Sequence, residues 1–322
     1  MSDAVGMSFK ARMNNLAKEL GLRPQTVIQN FMFERFLDRL ARSQYRDNFV
    51  VKGGVLISAM IGLSARATMD MDATAIDLPM TQRSIRHAVK RIASENADDD
   101  VEFTVVGIDK IRIQVEGYAG LRVRLCARFH GLCVRFSIDV TKGDAITPSP
   151  EVLRLPSHFC GKTRYSLLAY TVETVLAEKC ESILKRNVVG TRPRDYYDVY
   201  MLTRLRKVRP RIFKAAVRST FEKCGTGKLL SIIPSILDGI SQSHVQEEYW
   251  RRYQQEFPYA RGVSFHDAVD SVRRLLKGVQ SYRSRRQVSG EAEGSTPHIT
   301  PGMRNRLTRN GGSSSNGTGR IT

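Results

Sequence analysis

The sequence has no long hydrophobic run. Nowhere in its 322 residues does an apolar stretch approach the roughly 18 positions that a membrane-spanning helix needs. The amino-terminal segment 1–20 also lacks the apolar core of a secretory signal peptide. We therefore expect a protein of the cytoplasm that does not associate with membranes.

Cysteine and acidic residues are both scarce. The five cysteines are odd in number and none are spaced as CxxC, which argues against a disulfide framework and a structural zinc site. Acidic residues are outnumbered by basic ones, 32 to 51, so the net charge is +19. That excess favours a polyanionic partner, first of all nucleic acid. A basic surface that is only solvated would give the same count.

The spacing of apolar residues predicts an α+β protein in four parts. Residues 1–47 have the period of two helices, and 48–160 contain alternating runs typical of strands. We expect these strands to form a mixed, mainly antiparallel sheet flanked by helices. Residues 161–280 are predicted to be mostly helical. Residues 281–322 are rich in Gly, Ser and Thr with scattered Arg, which predicts a disordered basic tail.

Three segments allow specific expectations. The two amino-terminal helices could form a helix-turn-helix that binds DNA, or a helical cap packed on the sheet. Separate strands are predicted at 101–105 and 110–115. A single helix is predicted over 167–186, after a proline-containing linker or edge crossing near 148–156.

The stretch 48–72 combines a buried strand, a glycine pair and two nearby carboxylates. Gly53 and Gly54 open an apolar helical segment, where free backbone N–H groups can bind phosphate. Asp70 and Asp72 are two residues apart, so an extended chain places both carboxylates on one face. Carboxylate oxygens are suitable ligands for Mg²⁺. The stretch therefore predicts a site for a metal and a nucleoside triphosphate.

Asp139 and Lys179 are further candidates. Asp139 lies near the end of a predicted strand and could be the third carboxylate that two-metal phosphoryl chemistry needs, or an ordinary strand-end residue. Lys179 lies at the edge of an apolar helical stripe. It could extend to solvent or point inward to phosphate oxygens. Its neighbour Glu178 is expected to be solvated.

Asp195 and Asp198 share one face of a predicted helix. They could orient Lys179 or accept a proton from a nucleophile. The alternatives are pairing with the helix dipole or with an arginine such as Arg194. Arg66 could bind phosphate or form a salt bridge with an aspartate.

Five segments, in this order, resemble the AbiEii-type nucleotidyltransferase toxins, which include the MenT toxins and share a superfamily with DNA polymerase beta. The resemblance covers about residues 25–205 and implies a nucleotidyltransferase-like fold. The matching segments are FVVKGGVLISAM, RATMDMD, FSIDVTKGD, ETVLAEKCESILKR and RPRDYYDVYML.

The resemblance implies roles for individual residues. Asp198 matches the second aspartate of an RDxxD pattern and is interpreted as structural. Together with the reasoning above, the predicted site comprises Asp70, Asp72, Lys179 and Asp195 as catalytic residues, Gly53, Gly54, Arg66 and Lys179 as nucleotide-binding residues, and Asp70, Asp72 and Asp139 as ligands of Mg²⁺ or Mn²⁺.

The resemblance also implies an activity. Such enzymes move a nucleoside monophosphate from an NTP to an acceptor hydroxyl, for some members at the 3′ end of tRNA. They act as toxins of type IV toxin–antitoxin or abortive-infection systems, with a winged-helix antitoxin as partner. Two alternatives stay open: transfer to a protein hydroxyl, and a non-catalytic basic regulator that binds nucleic acid.

Overall fold

The computed structural model describes residues 2–111, 119–159 and 164–279, and these form one compact unit. The predicted disordered tail, 281–322, lies outside the described residues. The helices are α1 (Ser2–Leu20), α2 (Pro24–Arg42), α3 (Gly53–Ile61), α4 (Gln82–Ala93), α5 (Val172–Arg186), α6 (Pro193–Leu205), α7 (Pro210–Lys223), α8 (Ile233–Ser241), α9 (His244–Glu256) and α10 (Phe265–Leu276). The strands are β1 (Phe49–Lys52), β2 (Met71–Ala75), β3 (Glu102–Lys110), β4 (Ala119–Phe129), β5 (Leu132–Lys142), β6 (Glu151–Pro156) and β7 (Arg164–Ala169).

The strands form a seven-stranded sheet in the order β3-β4-β5-β2-β1-β7-β6. Strands β2 and β5 pair in parallel, as do β1 and β7. The other four pairings are antiparallel. The sheet is therefore mixed and mainly antiparallel, which confirms the predicted α+β class. It also continues past residue 160, because β7 is inserted beside β1.

The helix predicted over 167–186 was wrong at its start. Residues up to Ala169 belong to β7, whose side chains alternate between exposed and buried, and α5 begins only at Val172. The Thr171 side chain accepts a hydrogen bond from the Thr174 N–H and so caps the helix. The apolar pair Leu167 and Leu168 fits either structure on periodicity alone, because so short a run does not distinguish strand from helix.

Two further predictions concern strands. The segment at 148–156 was predicted as a linker or an edge crossing, and it contains the edge strand β6, with Pro156 at its end where no ladder donor is needed. A break between the strands predicted at 101–105 and 110–115 is not observed, since β3 continues from Glu102 to Lys110. Residues 112–115 lie outside the described residues.

Helix α2 is buried on nearly all sides and caps the sheet. Phe33 packs on Phe136 with ring centroids 5.2 Å apart, and Phe36 packs on Phe103 at 5.6 Å. Its polar residue Arg39 is also buried. A recognition helix must present its side chains to a DNA groove. The helix-turn-helix prediction is therefore wrong, and the alternative of a helical cap is confirmed.

The carboxyl-terminal half is helical, as predicted. Helix α5 packs on α6 and α7, and α10 packs on α6. Trp250 of α9 is buried here and donates its indole N–H to the Val263 carbonyl at 3.0 Å. No helix in the part of the chain that the structure describes is long and apolar enough to span a membrane. This half places α5 and α6 beside the start of β2, since Lys179 and Asp195 line the same cleft as Asp72.

Candidate active site

The glycine pair lets the start of α3 approach a carboxylate. Gly53 has a φ of +65°, and a methyl group on it would overlap the Asp72 carboxylate. A methyl group on Gly54 would likewise overlap the Thr68 hydroxyl. Because the first N–H groups of a helix have no partners within it, α3 offers anion-binding groups beside Asp72.

Two of the predicted carboxylates lie side by side on parallel strands. Asp72 on β2 and Asp139 on β5 are direct partners across the strands, and Asp70 immediately precedes β2. Burial raises the pKa of Asp72 above its ordinary value; Lys52 opposes this shift, and the charges of Asp139 and Asp70 add to it. The fold thus brings Asp139, which is distant in the sequence, to the end of the sheet where Asp70 and Asp72 lie.

Arginines hold the two outer carboxylates. Asp139 accepts two hydrogen bonds from Arg122, each of 2.7 Å, and Asp70 accepts one from Arg194 at 3.4 Å. Among the described residues, no three His, Cys, Asp or Glu side chains are close enough together to hold a metal ion. The predicted set of three metal ligands is therefore not converged in this arrangement. Instead, Asp139 and Asp70 each pair with a guanidinium group, which binds a carboxylate strongly.

Lys179 points inward between two buried aspartates. Its ammonium lies 2.7 Å from the Asp195 carboxylate and 3.0 Å from that of Asp198. Burial alone would lower the pKa of Lys179, but Asp195 and Asp198 raise it above its ordinary value. Asp195 also accepts a hydrogen bond from Ser182 at 2.9 Å. An ammonium has three donors, so two are used here and one remains for a ligand.

Arg66 is the second cation on Asp198. Its Nε donates to Asp198 at 2.8 Å, and both side chains are almost fully buried. Burial would raise the pKa of Asp198, but Arg66 and Lys179 hold it below its ordinary value. Of the two alternatives for Arg66, the salt bridge is the one observed, although the residue also lines the cleft described below.

Two residues of the site were missed from the sequence. Lys52 donates to Thr141 at 2.8 Å and to Asp144 at 2.9 Å, so it holds the loop after β5 against the cleft. Glu178 was expected to be solvated, but it is partly buried and lines the cleft; burial raises its pKa to about 7. Glu178, Lys179 and Ser182 of α5 all line the cleft, so Glu178 faces it although it is adjacent to Lys179 in the helix. Lys52 could have been predicted as a site residue from the sequence, because it immediately precedes the glycine pair.

Most of these residues line a cleft of about 460 Å³, a volume typical of small-ligand sites. Its charged residues carry both signs, which suits a ligand pair made of a cation and a polyphosphate better than an anion alone. The basic residues are Lys52, Arg66, Arg122, Lys179, Arg192 and Arg194, and the acidic ones are Asp70, Asp72, Asp139, Glu178 and Asp195.

The chain has distant likenesses among solved structures. It is 13% identical to the solved structure of JHP933 from Helicobacter pylori, with 80% of this chain and 93% of that chain covered and a TM-score of 0.45. It is 14% identical to an antigenic nucleotidyltransferase-like protein from Paracoccidioides brasiliensis, with coverage of 77% and 92% and a TM-score of 0.27. Likenesses this distant carry no argument about function. No curated protein matches the chain.

The family comparison is more informative. Residues 35–272, well over half of the chain, match the family of the nucleotidyl transferase AbiEii toxin of type IV toxin–antitoxin systems. The match includes every residue placed in the cleft above, and it agrees with the resemblance found in the sequence. This chain belongs to the AbiEii family of nucleotidyltransferase toxins.

Proposed function

We propose that the protein transfers a nucleoside monophosphate from an NTP to a hydroxyl at an RNA end, with tRNA as the acceptor, and that this reaction is its toxic activity. The observation that carries the proposal is the cleft itself. It places the start of α3, the carboxylate pair Asp72 and Asp139, and the inward-pointing Lys179 around one space.

In this proposal the triphosphate lies between α3 and α5. The N–H groups of Gly53 and Gly54 bind its phosphate oxygens, and the remaining donor of Lys179 neutralises their charge. Asp195 acts as a positioning residue, because it accepts a hydrogen bond from the Lys179 ammonium and so fixes its orientation. Arg66 stabilises the same cluster through Asp198.

The reaction makes one bond and breaks one. The acceptor oxygen attacks the α-phosphorus of the NTP. The bond between that phosphorus and the oxygen that bridges the α- and β-phosphates breaks. Pyrophosphate leaves, and a cleft carboxylate takes the proton of the attacking hydroxyl. Fixed positions and preorganised charges supply most of the rate acceleration.

The carboxylates fit a divalent cation in the kind of donor they offer. Asp70, Asp72 and Asp139 would hold Mg²⁺ or Mn²⁺ through oxygen atoms. When bound, the cation would neutralise phosphate charge and lower the pKa of the attacking hydroxyl. To bind there it must compete with Arg122 and Arg194 for the outer two carboxylates.

The acceptor and the partner follow from charge and family. The net charge of +19 supports an RNA acceptor, because neutralising phosphates dominates binding to nucleic acids. Membership of the AbiEii family implies a nucleotide substrate and an antitoxin partner, which we propose is a winged-helix protein. The proposed place of action is the cytoplasm.

The proposal is tested by locating the transferred label. The wild-type protein is incubated with α-labelled NTPs, Mg²⁺, total RNA and cell protein. We expect label in RNA, removed by ribonuclease, and none with Asp72→Asn. The exposed Asp47→Asn is the control and should label RNA as the wild type does. Label only on protein would instead support transfer to a protein hydroxyl. If neither RNA nor protein is labelled, and wild type and Asp72→Asn bind RNA with equal affinity, the result would support a non-catalytic regulator.

A further inference from the structure

One face of the β3–β4–β5 region of the sheet is open and carries arginines. Along β4 the side chains alternate, so that Val123 and Leu125 are buried while the residues on either side of them point to the other face. The outward positions Arg122 and Arg124 are 53% and 54% exposed, and Arg128 is exposed as well.

Strand β5 adds a fourth arginine to this surface. Arg135 is exposed and is the direct cross-strand partner of Cys126, which lies on β4 between Arg124 and Arg128. We call Arg122, Arg124, Arg128 and Arg135 the arginine face. Its first member both pairs with Asp139 and lines the cleft. The arginine face therefore starts at the rim of the active site and continues along the sheet away from it.

Much of the charge of the arginine face is available to a partner. Within the described regions of the chain, Arg128 and Arg135 form no ion pair, even though Glu102 is the cross-strand partner of Arg128. Arg124 pairs with Asp109 at 3.0 Å, but both side chains are 54% exposed. Exposed pairs of this kind contribute little, so a phosphate could replace the carboxylate at small cost.

We propose that the arginine face binds the phosphodiester backbone of the acceptor RNA and directs its end into the cleft. Alternate residues of a strand are about 6.7 Å apart, so the arginines of β4 form a row that is interrupted only at Cys126, where Arg135 lies beside it on β5. Such a row of guanidinium groups suits a polymer with regularly spaced charges. Guanidinium groups bind phosphate with two hydrogen bonds. The surface is charged rather than apolar, which favours a nucleic-acid backbone over a protein partner. This inference rests on the proposed transfer to RNA.

The test removes charge from the arginine face without touching the residues of the cleft. The variant is Arg124→Gln, Arg128→Gln, Arg135→Gln. Its matched control is Arg83→Gln, Lys90→Gln, Arg91→Gln, which removes three exposed charges from α4, the helix that packs on β3 from the other side. KM for RNA, KM for NTP and kcat are measured for both at several salt concentrations.

We expect KM for RNA to be about tenfold or more higher in the arginine-face variant than in wild type near 0.1 M salt. The slope of log KM for RNA against log salt concentration should fall by about 2, since each single-strand phosphate contact contributes about 0.7. KM for NTP and kcat should stay near wild type, and the α4 control should change none of these values. Equal effects of both variants, or no effect of either, would overturn the proposal while transfer to RNA still stands. If the wild type labels no RNA, the proposed function itself fails.

Discussion

Gly53 shows how a single residue without a side chain can define the site. Its φ of +65° disfavours any other residue, and a methyl group there would also overlap the Asp72 carboxylate. Gly225 has nearly the same φ, +66°, but has no atom within 4 Å of the corresponding position. Substitutions at the two glycines can therefore be compared to distinguish the effect of backbone strain from the effect of contact with the carboxylate.

We predict that Gly53→Ala loses about 2–3 kcal/mol of unfolding free energy and most transfer activity, because both strain and overlap act on it. Gly225→Ala should lose only about 1 kcal/mol and keep its activity. Urea denaturation and the label-transfer assay measure the two effects. Similar losses of activity in both variants would show that contact with Asp72 does not matter.

Glu178 predicts a pH dependence of stability. Burial raises its pKa from 4.5 to about 7, with Asp144 and Asp72 adding to the shift and Lys52 and Lys179 opposing it. Between these two values the folded chain binds more protons than the unfolded chain. The stabilising contribution is thus complete below pH 4.5 and is lost as the pH rises through 7.

Replacing the Glu178 carboxyl with a group that does not titrate should prevent the loss of stability as the pH rises. We expect Glu178→Gln to be more stable than wild type by about 1–3 kcal/mol at pH 8, with little difference at pH 4.5. Urea denaturation at several pH values measures this, and the exposed Glu222→Gln should keep the wild-type profile. Parallel profiles for Glu178→Gln and wild type would contradict the raised pKa of this carboxyl.

At the scale of elements, the contact between α5 and α6 depends on a cluster of buried charges. Asp198 of α6 is fully buried and neutralises both Lys179 of α5 and Arg66 of the loop before β2. We predict that Asp198→Asn costs about 3–5 kcal/mol, because removing one partner leaves buried cations uncompensated. Thermal or urea unfolding measures the loss.

An exposed ion pair provides the control for that prediction. Asp238 and Arg273 join α8 to α10 at 2.8 Å, but their side chains are 56% and 38% exposed. Asp238→Asn should therefore cost less than about 1 kcal/mol. If the two variants were equally stable, Asp198 could not be the structural centre of this contact.

The elements also show what local sequence can and cannot predict. The α5–α6 pairing was partly foreseeable, because Asp195 and Asp198 share a helix face and Lys179 borders an apolar stripe. The boundary between β7 and α5 was not, because Leu167 and Leu168 suit a strand as well as a helix. Only pairing with β1 and β6 decides for the strand, and such long-range pairing leaves no local pattern.

At the scale of the whole molecule, the sequence motifs predicted residues that line one cleft, but not how those residues pair with one another. The five ordered motifs predicted which segments meet, and the structure brings Gly53, Asp72 and Lys179 to one cleft. The pairing of Arg122 with Asp139 could not be foreseen, because it depends on the register of β4 against β5. The division of the chain at residues 48–160 and 161–280 stays a prediction.

The central claim is that the cleft breaks the bond between the α- and β-phosphates of an NTP. The most direct test compares α-labelled with γ-labelled NTP under the same conditions, with wild type and Asp72→Asn. We predict that wild type moves the α-label to the acceptor, releases the γ-label as pyrophosphate in equal amount, and that Asp72→Asn does neither. Transfer of the γ-label to the acceptor, or unchanged α-transfer by Asp72→Asn, would contradict the account.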